Sequence, residues 1–322
     1  MEENHKKFNR REILKGSAAL TAAMVTGAAM PGNLSAKATR SDTGPVVKNK
    51  RIKQVLATWP FMNRAGFWTL DQLCQAAVDL GCEGIELAGP DAWPTMKKFD
   101  LVCGMSPNGM PGHPFIKGLN NPRYQQEVIE TTRRRIEACA EAGVPNVIAF
   151  TGYKYLDVDN PEKGEISLDE GADNTVEGLK ELARYAERHG VTVCLEHLNT
   201  RAPDPYLFGT PGYQGDDIDY CADIIRRVGS PRVKLLFDIY HVQIMNGDVI
   251  ARIREYGTDL VGHIHTAGVP RRGELNESQE LNYPAIMRAL LEIGYEGYVG
   301  QEFVPRCDPM EGLRQAVSLC DV

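Results

Sequence analysis

The chain has 322 residues, 43% of them hydrophobic, which is enough for one domain around a large core. Its 36 basic and 43 acidic side chains leave a formal net charge of −7, so it lacks the cationic face that nucleic acid or an anionic membrane surface needs, and neither is an expected partner. The eight cysteines show no CxxC and no metal-finger spacing; most lie in apolar periodic runs and read as small core residues, with no disulfide expected and Cys307 with Cys320 the first pair to check.

Residues 1–38 read as an export signal. Lys6, Lys7, Arg10, Arg11 and Lys15 precede an Ala/Gly-rich apolar segment, Ser17–Met30, and Ala36 and Ala38 are small enough for a signal peptidase. The stretch Asn9-Arg10-Arg11-Glu12-Ile13-Leu14-Lys15 resembles the twin-arginine motif of the bacterial Tat pathway, which implies the Tat export machinery as a partner and an exported or periplasmic location. An amphipathic starter helix or a membrane anchor are the alternatives, but the apolar run is too short for stable membrane insertion. Residues 39–50 then form a linker, and residues 51–322 form one domain. Without residues 1–38, which carry six basic and three acidic side chains, 284 residues remain and the net charge moves from −7 to −10.

From residue 52 short apolar runs alternate with longer helical patterns. The runs are Ile52–Thr58, Gly84–Leu87, Leu101–Met105, Asn146–Thr151, Val191–Glu196, Val233–Asp238, Leu260–Thr266 and Tyr298–Phe303. Helical spacing covers Thr69–Leu80, Tyr124–Ala142, Asp173–His189, Asp216–Val228, Tyr283–Ile293 and a final stretch from Met310, with a short helix before Leu260 and an ambiguous region from Trp93 to Phe99. Gly81, Gly143, Gly190, Gly229 and Gly294 stand where helices stop. Eight continuous apolar strands joined by helices give a parallel sheet buried on both faces, and eight is the number that closes into a (β/α)₈ TIM barrel. A doubly wound sheet is the runner-up, though no glycine-rich phosphate loop follows the first strand.

A barrel carries its active site at the C-terminal mouth of the strands, and here the longest loops are all on that side. Ser106–Pro122, Gly152–Ala172, Asn199–Gly215 and Gly268–Asn282 follow strands three, four, five and seven. Their aromatics Tyr153, Tyr155, Tyr206, Phe208 and Tyr213 are placed to close over a small substrate.

Four strand tips carry chemistry. Glu196, Asp238, His265 and Glu302 end strands five, six, seven and eight, and neighbouring strands about 4.8 Å apart can converge four such tips on one ion. A buried carboxylate is costly without a cationic partner. Three carboxylates and an imidazole make a hard, mostly oxygen site for one divalent metal ion, Mn²⁺, Mg²⁺ or Co²⁺, with Zn²⁺ also accommodated. For any one of the four, an arginine-paired carboxylate or a hydrogen-bonded core histidine is the competing explanation.

The segments Leu195-Glu196-His197-Leu198-Asn199-Thr200-Arg201, Phe237-Asp238-Ile239-Tyr240-His241, Gly262-His263-Ile264-His265-Thr266-Ala267-Gly268-Val269-Pro270 and Gly294-Tyr295-Glu296-Gly297-Tyr298-Val299-Gly300-Gln301-Glu302 resemble the xylose-isomerase-like barrel superfamily, and within it hydroxypyruvate isomerases, with ketose 3-epimerases as close relatives. The likeness is strong from about residue 190 to 305 and thin before that, where only Gly84-Ile85-Glu86-Leu87 and Asn121-Pro122-Arg123 look familiar. It implies Glu196, Asp238, His265 and Glu302 as metal ligands, with Glu196 and Glu302 also the acid/base pair. It implies substrate contacts from His241 and from Arg272, with Arg271 competing for the arginine position. Asn199 and His263 complete the candidate substrate-binding set, His263 either lining the pocket or making a core hydrogen bond. Two departures stand out: hydroxypyruvate isomerases usually carry glutamine where this chain has His265, and proline where it has His197.

That resemblance implies a metal-dependent isomerase or epimerase acting on a small carbohydrate or hydroxy-keto acid. Proton transfer by glutamate through a metal-stabilised enediolate gives isomerisation or epimerisation according to where the proton returns. A dehydratase or other lyase on the same barrel, and a non-catalytic sugar-binding protein, are the alternatives. Among the remaining features, His197 is expected to face the helices, and Glu86 to reach substrate or pair with an arginine. Asp157-Val158-Asp159-Asn160 imitates a calcium loop but lacks its glycine and distal glutamate. Trp59, Trp68 and Trp93 read as packing, with Trp59 also able to floor the pocket, and Arg133-Arg134-Arg135 as the solvated face of a helix.

Overall fold

A computed structural model describes residues 44–64, 68–201 and 209–322; the segment read as an export signal, with Arg10 and Arg11, and the loop aromatics Tyr206 and Phe208, lie outside them. The described order is β1 (Lys53–Ala57), α1 (Leu70–Leu80), β2 (Gly84–Glu86), α2 (Trp93–Lys97), β3 (Val102–Cys103), α3 (Pro122–Ala142), β4 (Asn146–Phe150), α4 (Leu168–His189), β5 (Thr192–Glu196), α5 (Ile218–Val228), β6 (Val233–Asp238), α6 (Ile239–Met245), α7 (Val249–Leu260), β7 (Val261–Thr266), α8 (Tyr283–Glu292), β8 (Tyr298–Gln301) and α9 (Pro309–Cys320). All strand pairs are parallel, in the order β3-β2-β1-β8-β7-β6-β5-β4. The remaining edges, β3 and β4, meet through a single parallel bridge, Ser106 to Val147, and through Asn146 Nδ2 donating to the Gly104 carbonyl at 2.9 Å. The molecule is a TIM barrel, as expected, and the doubly wound alternative is excluded by the β1–β8 pairing.

The elements form where side-chain chemistry closes their ends. Thr69 and Gln72 make a reciprocal capping box at α1, and Asp217 caps α5 through the N–H groups of Asp219 and Tyr220. Gly81, Gly143, Gly190 and Gly229 are left-handed C-caps, while Gly294 follows the α8 cap, Ile293, by one residue. The short helix expected before Leu260 is two helices, α6 and α7, because Asn246-Gly247-Asp248 turns the chain between them. The ambiguous stretch after Trp93 is one helical turn, α2.

Strand alternation separates two cores. Outward residues such as Val193, Leu195, Leu235, Phe237, Ile264 and Val299 pack against the helices in the main cluster. Ile148, Phe150, Cys194 and Leu236, in the opposite phase on β4 to β6, join Met105, Leu198 and Tyr213 in a second cluster on the barrel side. That same inward phase carries Glu196 and Asp238. The segment read as a linker is packed from residue 46 onward: the N–H groups of Val46 and Val47 donate to the Leu80 carbonyl, and the Asp321 carboxylate accepts from the N–H of Lys48, Asn49 and Lys50. All eight cysteines are free thiols, Cys307 exposed and the other seven buried.

The mouth loops are stitched by buried amides. Asn120 donates to Gln214 Oε1 at 2.8 Å and to the Tyr153 carbonyl at 2.9 Å, and Gln214 donates to the Ile166 carbonyl at 2.9 Å. The Asp157 motif binds cationic side chains rather than calcium: its carboxylate takes Lys163 Nζ at 2.6 Å and Arg123 Nη1 at 2.8 Å, and these bonds lower its pKa to about 2. Because the folded value lies below the unfolded one, about 3.9, this clamp stabilises fully above about pH 4 and is lost as pH falls towards about 2. Asp157→Asn should therefore lower the melting temperature at neutral pH and flatten the drop below about pH 4. Circular dichroism melts across that range check it; an unaltered acid limb would remove the clamp from the account.

Candidate functional site

The tips of β5, β6 and β7 and the residue just past β8 bring one oxygen or nitrogen each from Glu196, Asp238, His265 and Glu302 to within 4.8 Å of one another. The sheet register explains the convergence: Asp238 pairs with His265, and Glu196 with Leu236, two residues lower on β6 and facing the same side as Asp238. Burial is almost complete, with 5% of Glu196, 1% of Asp238 and 4% of Glu302 exposed, so three carboxylates share a volume that water scarcely reaches. Asp238 also caps α6: its Oδ1 accepts from Tyr240 N–H at 2.8 Å, which leaves Oδ2 directed at the site.

Arg272 answers part of that charge. Its Nη2 donates to Asp238 Oδ2 at 3.0 Å and to Glu302 Oε2, and its Nη1 lies 3.0 Å from His241 Nε2. The guanidinium sits over the rings of Trp59 and Tyr240, 5.4 and 5.3 Å from their centres. Trp59 Nε1 donates to Glu302 Oε1 at 2.6 Å, so both oxygens of Glu302 are held. His265 Nδ1 lies 2.8 Å from Glu302 Oε2 and 3.6 Å from Glu196 Oε1, but neither approach has hydrogen-bond alignment.

These neighbours split the two glutamates. Burial pushes Glu302 upward, but Arg272, His265 and the Trp59 N–H outweigh it and hold Glu302 well below the usual carboxylate range. Burial raises Glu196 to about 7, the charges on Glu302 and Asp238 adding to it against the pull of His265. Asp238 is raised as well, by burial against the pull of Arg272. A divalent cation fits this arrangement: an oxygen-rich donor set with one ring nitrogen, carboxylates that repel one another, and an imidazole nitrogen near two carboxylates but bonded to neither. Arg272 and the His265 ring, whose pKa, against burial, the facing carboxylates raise well above its ordinary value, are two cations against three carboxylates, and a divalent ion would take the place of the ring proton.

The other sequence candidates divide. His241 is fully buried; its Nδ1 accepts from Asn199 N–H at 3.0 Å and approaches Asn199 Nδ2 at 2.8 Å, while Nε2 lies 3.5 Å from Asp238 Oδ2. Burial and the Arg272 charge press its pKa well below the ordinary value, so the ring is neutral. Of the two arginines, Arg272 is in the site and Arg271 is exposed, with its carbonyl accepting from Arg306. His263 does not reach the mouth: it is fully buried with its Nε2 2.6 Å from Glu86 Oε2, the core hydrogen bond that was the alternative reading. Glu86 pairs with histidines rather than with an arginine or with substrate, as its Oε1 is also 3.0 Å from His265 Nε2. His197 packs its edge against His241 with ring centres 6.0 Å apart, and burial lowers its pKa to about 3.

Two features were legible only in part. Trp59 was read mainly as packing, yet its indole N–H orients Glu302; only its place at the end of β1 hinted at this. The mouth also has an apolar wall, in which Phe115 and Tyr153 pack against Met105, Phe150, Leu198 and Tyr213. Within Arg133-Arg134-Arg135, Arg135 is half-buried and its pKa is lowered by desolvation, so that run is not a uniformly solvated face.

Comparison with known proteins agrees with this architecture. Residues 74–321 match the family model described as "Xylose isomerase-like TIM barrel". A 2-oxo-tetronate isomerase of Pectobacterium atrosepticum is 32% identical over 251 residues, spanning 74% of this chain and 88% of that protein. A putative hydroxypyruvate isomerase of Homo sapiens is 40% identical over 139 residues, 43% of this chain, so the match spans about half the length of that relative, 47%. The solved structure of a 3-keto-D-glucoside 4-epimerase from E. coli superposes with a TM-score of 0.66 at 20% identity, over 84% of this chain and 99% of that one, a likeness of fold. With more than three quarters of its length matched by the family model, the chain belongs to the xylose isomerase-like TIM barrel family.

Proposed function

We propose that this protein is a divalent-metal-dependent isomerase or epimerase of a small sugar or hydroxy-keto acid. The observation that carries the reading is the convergence of four buried donor side chains, two of them glutamates, at the tips of neighbouring strands. Isomerase relatives and epimerase neighbours support the reaction class. When bound, a divalent ion supplies a Lewis acid that polarises a carbonyl and the adjacent hydroxyl. Glu196, Asp238, His265 and Glu302 are the residues that hold it.

The chain's own groups supply the rest. Glu302, ionised and fixed by Trp59 and Arg272, is the base that removes a proton from the carbon next to a carbonyl. The same glutamate, or Glu196 at the other end of the ligand set, returns a proton to the opposite face or to the neighbouring carbon. Arg272 and His241 lie beside the ligands, where they can donate to substrate oxygens, and Asn199 fixes the His241 ring. The apolar wall about Phe115 and Tyr153 shields the other side from water. Residues 1–38 we read as a twin-arginine signal, so Arg10→Lys with Arg11→Lys should retain the protein in the cytoplasm on cell fractionation.

Two measurements test the activity. Purified protein with Mn²⁺, incubated with a panel of ketoses and hydroxy-keto acids in D₂O, should place deuterium next to the substrate carbonyl; loss of water would make it a lyase, and no exchange with any member would leave a binding protein. Glu302→Gln should slow that exchange by at least about 10²-fold while weakening Mn²⁺ binding only in part, and near wild-type turnover would sink the acid/base assignment. Mn²⁺ at about 100 times its Kd should add about 2.7 kcal/mol of stability, read as a higher melting temperature that a chelator reverses.

A further inference from the structure

Glu196 is the last paired residue of β5, opposite Phe150 on β4 and Leu236 on β6, and past it the chain leaves the sheet. Its carbonyl accepts from the Tyr213 hydroxyl at 2.7 Å, and the same phenol oxygen accepts from the Thr151 N–H at 3.0 Å. Thr151 is the first residue after β4, so one phenol joins the tips of two neighbouring strands where their pairing ends. The junction is dry: Thr151 is fully buried, and Tyr213 and Glu196 are 2% and 5% exposed. Without the hydroxyl, a buried N–H and a buried carbonyl would both lose a partner that water could not replace.

The ring is held as closely as its oxygen. It meets Phe150 edge to face, centres 6.5 Å apart at 83°, and Phe150 is the residue paired with Glu196. The segment around Tyr213 is zipped onto the chain that follows β4. Tyr153 and Tyr213 form an antiparallel bridge, Lys154 N–H donates to the Gly212 carbonyl at 2.9 Å, and Gln214 N–H donates to the Gly152 carbonyl at 2.9 Å. Gly215 N–H donates to Thr151 Oγ1 at 2.9 Å, and a Cβ on Gly215 would stand 2.8 Å from that oxygen, so the segment has no slack. A phenylalanine would fill the apolar site beside Phe150 equally well. The hydroxyl therefore serves the two strand tips, and one of them carries a residue of the cluster.

Resting on the metal-site reading above, we propose that Tyr213 is a positioning residue for Glu196: its hydroxyl, bridging the tips of β4 and β5, sets the height and direction at which the Glu196 carboxylate enters the cluster. The phenol bonds the backbone of Glu196 and not its carboxylate, so it acts through the main chain. A shift of that carbonyl carries the Cα and the carboxylate with it, and displacements of about 1 Å are enough to slow a reaction about 10²-fold.

Tyr213→Phe removes the oxygen and keeps the ring. With Mn²⁺ and a substrate from the ketose and hydroxy-keto acid panel, it should lower kcat for deuterium exchange about 10- to 100-fold and change KM less than about threefold. Isothermal titration should show Mn²⁺ bound about tenfold more weakly, and the visible spectrum of the Co²⁺ form should shift. In a Glu196→Gln background the same substitution should change Mn²⁺ affinity less than about threefold. Tyr220→Phe is the matched control, because it removes a phenol that donates to a backbone carbonyl, that of Leu168 at 2.9 Å, at the exposed start of α4. It should leave rate and affinity at wild-type values. Wild-type rate and affinity in Tyr213→Phe, equal losses in the two backgrounds, or losses as large in Tyr220→Phe would each overturn the proposal. If Tyr213→Phe does not fold, amide exchange in the wild-type protein decides: the Thr151 N–H should be as protected as the amides within β4, and fast exchange there would overturn the bridge. A wild-type protein that binds no ion would defeat the functional reading, whereas a wild type that binds and a Tyr213→Phe that binds equally well would defeat this proposal alone.

Discussion

Three carboxylates brought almost out of water at the rim of a barrel are the constraint around which this molecule is arranged. The cost of burying one unpaired charge exceeds most of the stabilising terms a single residue can offer, so each carboxylate must be met. Arg272 meets two of them, the α6 amides and the Trp59 indole take further oxygens, and His265 stands among the three. What remains is a surplus of negative potential at one point, which is what a divalent cation needs.

The compensation is unequal, and that inequality turns a binding site into a site capable of chemistry. Arg272 and Trp59 serve Glu302 and leave Glu196 with burial and like charge. Glu302 is accordingly held ionised, while Glu196 keeps a proton more readily. Asp238 divides its two oxygens: one ends β6 by starting α6, and the other faces the cluster and accepts from Arg272.

Much of this was legible in the chain. All eight strands fell within one or two residues of their predicted ends, because a parallel strand buried on both faces is written as an uninterrupted apolar run and because glycines mark most helix stops. The four residues of the carboxylate-and-histidine cluster could be read as polar residues at the ends of such runs. The supporting contacts could not. Nothing local distinguishes Arg272 from Arg271, and only the turn after Pro270, which sends one side chain inward, separates them. The pairings of Glu86 with His263 and of Trp59 with Glu302 span 177 and 243 residues and depend on ring closure, which periodicity does not report. The shared phase of His263 and His265 leaves both a place at the mouth and a core hydrogen bond open, because phase fixes the side a residue faces and not its depth.

The single bridge at Ser106 has a mechanical corollary. From β4 round to β8 the strands are four to six residues long and paired throughout, with one register shift at Leu235/Leu236, and the four residues of the cluster stand on or at the end of that arc. Across the seam, β2 and β3 contribute three and two residues, and amides such as Asn146 and Asn120 take over the fastening. The ring thus has a continuously paired arc that carries the cluster and a lightly fastened one that carries the long loop running to α3 with its aromatic Phe115. The spacing among Glu196, Asp238, His265 and Glu302 is set by strand pairing, and the Phe115 side of the mouth by loop and amide contacts.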